Sequence, residues 1–184
     1  IFSGLGLIGF LSQAAITLFI SPLMGIISIL IAAILVAIVI ALLRLSPMWA
    51  RPARVWAPLA FLWGSGMAIS LASMSSPAVM QLAINSGWID SFMSWSGAYP
   101  EEISKAAGVL FVLMSFRQLN RPWHGWMVGA VIGLGFEANE NILYGSMGAT
   151  THPDSDFAGL IQMWGLRLVA GPGLHVLLTA LAGW

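Results

Sequence analysis

Two short stretches of this chain hold four of its seven acidic residues and its only lysine, and both are set in apolar sequence. The first, PEEISK at 100–105, carries Glu101, Glu102 and Lys105. The second, GFEANENILY at 135–144, carries Glu137, Glu140 and Asn141. A third, RLVAGPGLHVLLTALAG at 167–183, adds Arg167, His175 and Thr179. Carboxylates and an imidazole make an oxygen and nitrogen donor set that suits a divalent metal such as zinc, with a position left open for water. Buried carboxylates without partners would otherwise protonate or draw in a cation.

Helical spacing gives each group one face. Glu101 and Lys105 are four apart, so the ammonium can offset one carboxylate. Glu137 and Asn141 are also four apart with Glu140 on the same side, and His175 and Thr179 repeat the interval. Three polar stripes on three helices should converge in a bundle. Each has a structural alternative. Pro100 and the acids after it would suit the first turn of a helix. His175 alone would serve as a hydrogen-bonded core residue, and Arg167 as a structural partner for one glutamate. Glu137 and Glu140 resist such a reading, because no lysine or arginine lies within a helical turn of either. His124 and His152 fall at span ends or loops and take no role.

The elements that must position these groups are membrane helices. The chain is 59% hydrophobic and 8% charged, with a mean hydropathy of +0.90, whereas soluble domains carry about 25% charged residues. Its zero net charge argues against a nucleic-acid partner. Without cysteine, disulfides, thiol catalysis and Cys-based metal sites are excluded. Ile1 in place of Met, and Trp184 inside an apolar run, read as trimmed ends.

Residues 1–43 carry no charge and would run roughly 65 Å as one helix, about twice a hydrocarbon core. Ser21-Pro22 splits them into spans near 2–20 and 23–43. Further spans are expected at 55–74, 101–116, 123–146 and 157–184, the last broken at Gly171-Pro172-Gly173. The mixed segment 75–100 suggests an interfacial helix near 77–95, and the nine tryptophans suggest interfacial belts. Arg44, Arg51, Arg54, Arg117 and Arg121 lie on two alternate loops, which the positive-inside rule puts on the cytoplasmic side. The fold class is therefore all-α: a polytopic transmembrane bundle of about six helices, one domain over 1–184 with a motif-bearing core at 100–183. In a straight helix from 157, His175 would sit roughly 27 Å down, too deep to meet Glu101. Either the Gly171-Pro172-Gly173 break bends the helix or, as we prefer, 157–163 lies along the interface and 164–184 forms the span.

Other intramembrane protease chemistries are absent from the sequence. There is no HExxH, no aspartate within a span, and Ser65 in WGSG lacks a GxSG pattern. PEEISK matches the EExxK motif, and GFEANENILY the FExxEN motif, of the PrsW family of intramembrane proteases. The third stretch resembles that family's last helix, so the likeness covers roughly 100–183. The family is similar to the CAAX prenyl endopeptidases, whose FxxxH spacing is kept by Phe136 and Glu140 with Glu in place of His.

The resemblance implies a bacterial cytoplasmic-membrane endopeptidase that cuts membrane-anchored proteins, such as an anti-sigma factor. It implies Glu101 and Glu102 as general base or its partner, and Glu140 and His175, with Glu102, as ligands of Zn2+. Without a metal, Glu140 and His175 would orient the water and the oxyanion. Lys105, Glu137, Asn141, Arg167 and Thr179 would support them. Two other readings stand beside it. One is an ion or proton transporter using the buried Glu, Lys and His groups. The other is a non-catalytic subunit of a larger membrane complex that keeps the protease fold or holds a macrocycle at His175.

Overall fold

The computed structural model describes residues 2–171 and 173–184, and no strand occurs among them. The helices are α1 (Phe2–Ile20), α2 (Pro22–Leu45), α3 (Trp56–Leu62), α4 (Ile69–Asn85), α5 (Phe92–Ser115), α6 (Pro122–Thr151), α7 (Asp156–Ala170) and α8 (Leu174–Gly183). A π-helical turn at Trp63–Ala68 joins α3 to α4, and α7 continues into α8 through a break at 171–173. The chain thus makes six helical passes. Four of these, Ser3–Ile20, Pro22–Leu45, Trp56–Asn85 and Asp156–Gly183, are long and apolar enough to cross a membrane. Large side chains such as Ile8, Leu11, Leu23, Leu30 and Ile34 point outward from α1 and α2, as a lipid-facing surface requires.

α6 is the axis of the bundle and is buried along most of its length. Its glycines allow this. A Cβ at Gly125, Gly129 or Gly133 would strike the backbone of α8 at Gly183, Thr179 or His175, and one at Gly135 would strike the Phe61 carbonyl. Small residues four apart let helix backbones approach closely where lipid offers no hydrophobic drive. The π turn works the same way. Gly64 lies against the Ile132 carbonyl of α6 and Gly66 against the Gly6 carbonyl of α1. Within the turn, the Ser65 carbonyl accepts from the Asn139 side-chain amide. Ser21, in extended conformation, and Pro22 at the head of α2 make the tight reversal after α1.

Four sequence expectations change. No separate interfacial helix occupies 77–95: α4 runs to Asn85, a 3-10 turn spans Ile89–Ser91, and α5 begins at Phe92. The serines before Pro77 do not end α4, because the hydroxyls of Ser73, Ser75 and Ser76 donate to the carbonyls of Ile69, Leu71 and Ala72. Satisfied in that way, they are tolerated in apolar surroundings. PEEISK is not a helix start either, since Pro100 lies inside α5, eight residues past its first. The tryptophans divide between belt and core. Trp88, Trp95 and Tyr99 stack at one end of the bundle. Trp56, Trp63 and Trp164 are buried, and their indole N–H groups donate to Ala50 O, Ser104 O and Ser28 Oγ.

Residues 157–163 are also not interfacial, because α7 packs antiparallel on α6 from its first turn. A Cβ at Gly159 would meet the Gly148 carbonyl, Gly145 lies beneath the Trp164 indole, and Arg167 reaches Asn141. The depth is met from the other side: α5 begins at Phe92, so Glu101 lies nine residues into its helix rather than at its head. Gly171 ends α7, and Gly173, with φ of 69°, caps α8 in the left-handed region that favours glycine. Pro172 lies outside the described residues.

Candidate active site

Lys105 is the hub on α5. It is fully buried, with Nζ donating to Glu102 Oε1 at 2.6 Å and lying 3.9 Å from Glu101 Oε2. The same nitrogen meets His175 Nδ1 at 2.7 Å and stands 4.3 Å from the Phe136 ring centroid. A buried ammonium is costly in apolar surroundings, and this one is met by two carboxylates, an imidazole and an aromatic face.

α6 contributes two carboxylates with different tasks. Glu137 accepts from the backbone N–H groups of Gly173 and His175, at 2.8 and 3.2 Å. It therefore caps α8 from across the bundle, satisfying donors that the first turn of a helix leaves unpaired. Glu140 Oε2 receives the Arg167 guanidinium and lies 3.0 Å from His175 Nε2. Arg167 Nε also donates to Asn141 Oδ1 at 2.6 Å, and its guanidinium lies over the Tyr144 ring. The His175 ring packs on Phe136 at 5.0 Å between centroids.

The meeting of Glu140 and His175 follows from helix direction. Side chains tilt toward the N-terminus of their own helix. Because α6 and α8 are antiparallel, Glu140 leans back toward Phe136 while His175 leans back toward Gly173. Each closes part of the axial gap that a straight-helix count leaves open.

Ligand-type atoms of Glu101, Glu140 and His175 all lie within 4.8 Å of one another. One imidazole nitrogen and two carboxylate oxygens at that spacing suit a borderline divalent cation, with coordination left for water. The α5 carboxylate within that spacing is that of Glu101, whereas the sequence expectation put Glu102 there. Glu102 is turned toward Lys105, with its side chain 39% exposed. Two cavities flank the cluster. One, of about 140 Å³, is lined by Glu101, Phe136, Glu140 and Tyr144 from α5 and α6 and closed by Gln13 and Ser76. The other, of about 240 Å³, is lined by Arg167, Gly171, Leu174 and His175.

Of the nine sequence candidates, Glu101, Glu102, Lys105, Glu137, Glu140, Asn141, Arg167 and His175 fall in one bonded network. Thr179 does not join it. Thr179 is buried against Gly129 one turn along α8, and its hydroxyl has no hydrogen-bond partner among the described residues. Tyr144 and Asn139 were missed by sequence reasoning. Tyr144 follows Glu140 by one helical turn, a spacing that could have flagged it, whereas nothing in the sequence marks Asn139 as partner of the π turn. His124 Nδ1 accepts from the Arg121 backbone and His152 Nδ1 from the Asp154 backbone, as local caps.

The family model described as PrsW family intramembrane metalloprotease matches residues 51–184. No curated protein and no solved structure matches the chain.

Proposed function

This chain belongs to the PrsW family of intramembrane metalloproteases, and on that premise we propose that it hydrolyses peptide bonds of membrane-anchored proteins at Glu101, Glu140 and His175. The observation that carries this reading is the approach of those three groups, from three helices, to within 4.8 Å beside a cavity of about 140 Å³. A water occupies about 30 Å³ in the liquid, so that cavity has room for the attacking water and more. The family resemblance extends the proposal to a bacterial cytoplasmic membrane and to substrates such as an anti-sigma factor.

Glu101 lines the cavity with Glu140, and it is the proposed general base. It takes a proton from water as the oxygen adds to the scissile carbonyl, then returns that proton to the amine nitrogen as the C–N bond breaks. Glu102 holds Lys105, Lys105 holds His175 at Nδ1, and Glu137 fixes the backbone from which His175 projects. A divalent ion such as zinc would be held by Glu140 and His175 Nε2 beside Glu101, and when bound it would polarise the carbonyl and acidify water.

One contact favours a second reading without an ion. A metal-bound histidine ordinarily donates its other N–H to an oxygen acceptor, yet here a lysine nitrogen faces Nδ1. A lysine ammonium donating there would leave the proton on Nε2, which could then stabilise the oxyanion directly. Chelation of the purified protein separates the two. Loss of cleavage that zinc restores supports the metal site, and undiminished cleavage supports the glutamate and histidine alone.

The assignment of the base is tested by paired variants against a membrane-tethered reporter. Glu101→Gln is expected to lower kcat by about 10²–10⁴-fold, the usual contribution of a general base. Glu102→Gln, acting only through Lys105, should cost about tenfold. The reverse order would transfer the role to Glu102.

A further inference from the structure

Away from the protease site, three cavities lie in sequence along α2, each sharing lining residues with the next. The largest, of about 770 Å³, lies beyond the helix ends and is lined by Arg44, Trp49, Arg51, Arg54 and Pro58. It shares Arg44, Trp49 and Pro58 with a cavity of about 230 Å³. That cavity shares Val36, Ile40 and Phe61 with a third, of about 370 Å³, which runs between α2 and α6 past Ile29, Ala33 and Ala138. The groove is therefore basic at its mouth and almost wholly apolar within.

The three arginines are exposed, and the ion pairs among the described residues all belong to Lys105, Arg167 and His175. None of the seven acidic residues lies between 41 and 58. Arg44 has the face of Trp49 beneath it at 5.9 Å, an aromatic platform at the level where membrane interfaces place one. Along α2, Arg44 to Ile29 is roughly 22 Å, against about 15 Å for half of a hydrocarbon core. A positive-inside loop alone explains the arginines, but it does not explain an apolar channel leading from them to the bilayer midplane.

We propose that this groove holds one anionic phospholipid, with its phosphate among Arg44, Arg51 and Arg54 and an acyl chain in the channel between α2 and α6. Charge complementarity selects the headgroup, and the nearly unbroken apolar lining selects the tail. The assignment does not depend on the protease reading.

Native mass spectrometry of the detergent-purified chain, with dioleoyl phosphatidylglycerol and dioleoyl phosphatidylcholine as probes, tests it. The phosphatidylglycerol should be retained preferentially, and each arginine changed to glutamine should weaken retention roughly fivefold. Ala33→Leu with Ala37→Leu fills the channel and leaves the arginines in place, and it should release the same lipid. Equal retention of both lipids would overturn the proposal, as would undiminished binding after removal of all three arginines. So would retention that depends on the arginines but survives the filled channel, the mark of surface attraction only. A phosphatidylglycerol with a photoreactive group at its acyl end provides a measurement on the unaltered chain. Label is expected on 29–40 or 138–142, and label confined elsewhere, or a peptide found there instead, would refute the groove.

Discussion

Replacing Glu140 with glutamine is expected to lower cleavage of a membrane-tethered substrate by about four orders of magnitude. Loss of an acid–base or ligand group accounts for about 10²–10⁴, and displacement of its neighbours adds to that. Glu140 ties two further helices to α6, because its Oε2 receives both Arg167 of α7 and His175 of α8. Glutamine keeps the volume but turns an acceptor into a partial donor against a guanidinium that only donates. The stability cost should be about 1–3 kcal/mol. This is below the range for a fully buried pair, because Arg167 is partly exposed and keeps Asn141. The double variant Glu140→Gln, Arg167→Gln separates chemistry from folding. Its thermal stability should recover toward that of the unaltered chain while its activity stays lost. Cleavage within tenfold of the original rate in the single variant would remove Glu140 from the reaction.

The polar network was legible because charge is conspicuous in a chain with so little of it. A mid-membrane carboxylate costs on the order of 2.5–3.5 kcal/mol even on the lenient scale, so Glu137 and Glu140 had to find partners. The identity of those partners was only half visible. That Arg167 would neutralise a glutamate could be guessed from composition, but not that it would bridge Glu140 and Asn141. Glu101 and Glu102 differ by about 100° around a helix, so the choice between them rests on the rotational setting of α5. That setting is fixed by packing, Trp63 lying against Gly108 and donating to Ser104 O, and Pro100 also hid the start of the helix at Phe92 by imitating a first-turn proline.

The fold was readable where breaks are covalent and less so where they are cooperative. Ser21-Pro22 forces a reversal whatever surrounds it. The serines at 73–76 look like the approach to a loop until their hydroxyls are seen bonded back to α4. The tryptophans look like belt residues until a carbonyl or hydroxyl in the core is found to accept each buried indole N–H. The meeting of His175 with Glu101 and Glu140 could not be judged from helix counts alone, because the start of α5 at Phe92 and the opposed tilt of side chains on α6 and α8 both enter.

The other large expected effect lies in a residue with no side chain. Gly133→Leu should reduce cleavage by at least about a thousandfold while leaving the helical content of the chain intact. Gly125, Gly129 and Gly133 form a stripe on α6 whose spacing is plain in the sequence once charge is set aside. A Cβ at Gly133 would collide with the carbonyl of His175 and approach the Cα of Val176, so even alanine must push α8 outward. His175 sits in the first turn of that helix, held by Glu137 through backbone N–H groups and by Lys105 and Glu140 through its ring. A shift of about 1 Å in such a setting costs about 10²-fold, and leucine requires more. Gly165 and Gly97 serve as controls, since nothing lies within 4 Å of a Cβ at either. Alanine at those positions should leave cleavage unchanged and add up to about 1 kcal/mol of helix stability. Full turnover by the Gly133→Leu protein would mean that the imidazole works from some position other than this docked helix.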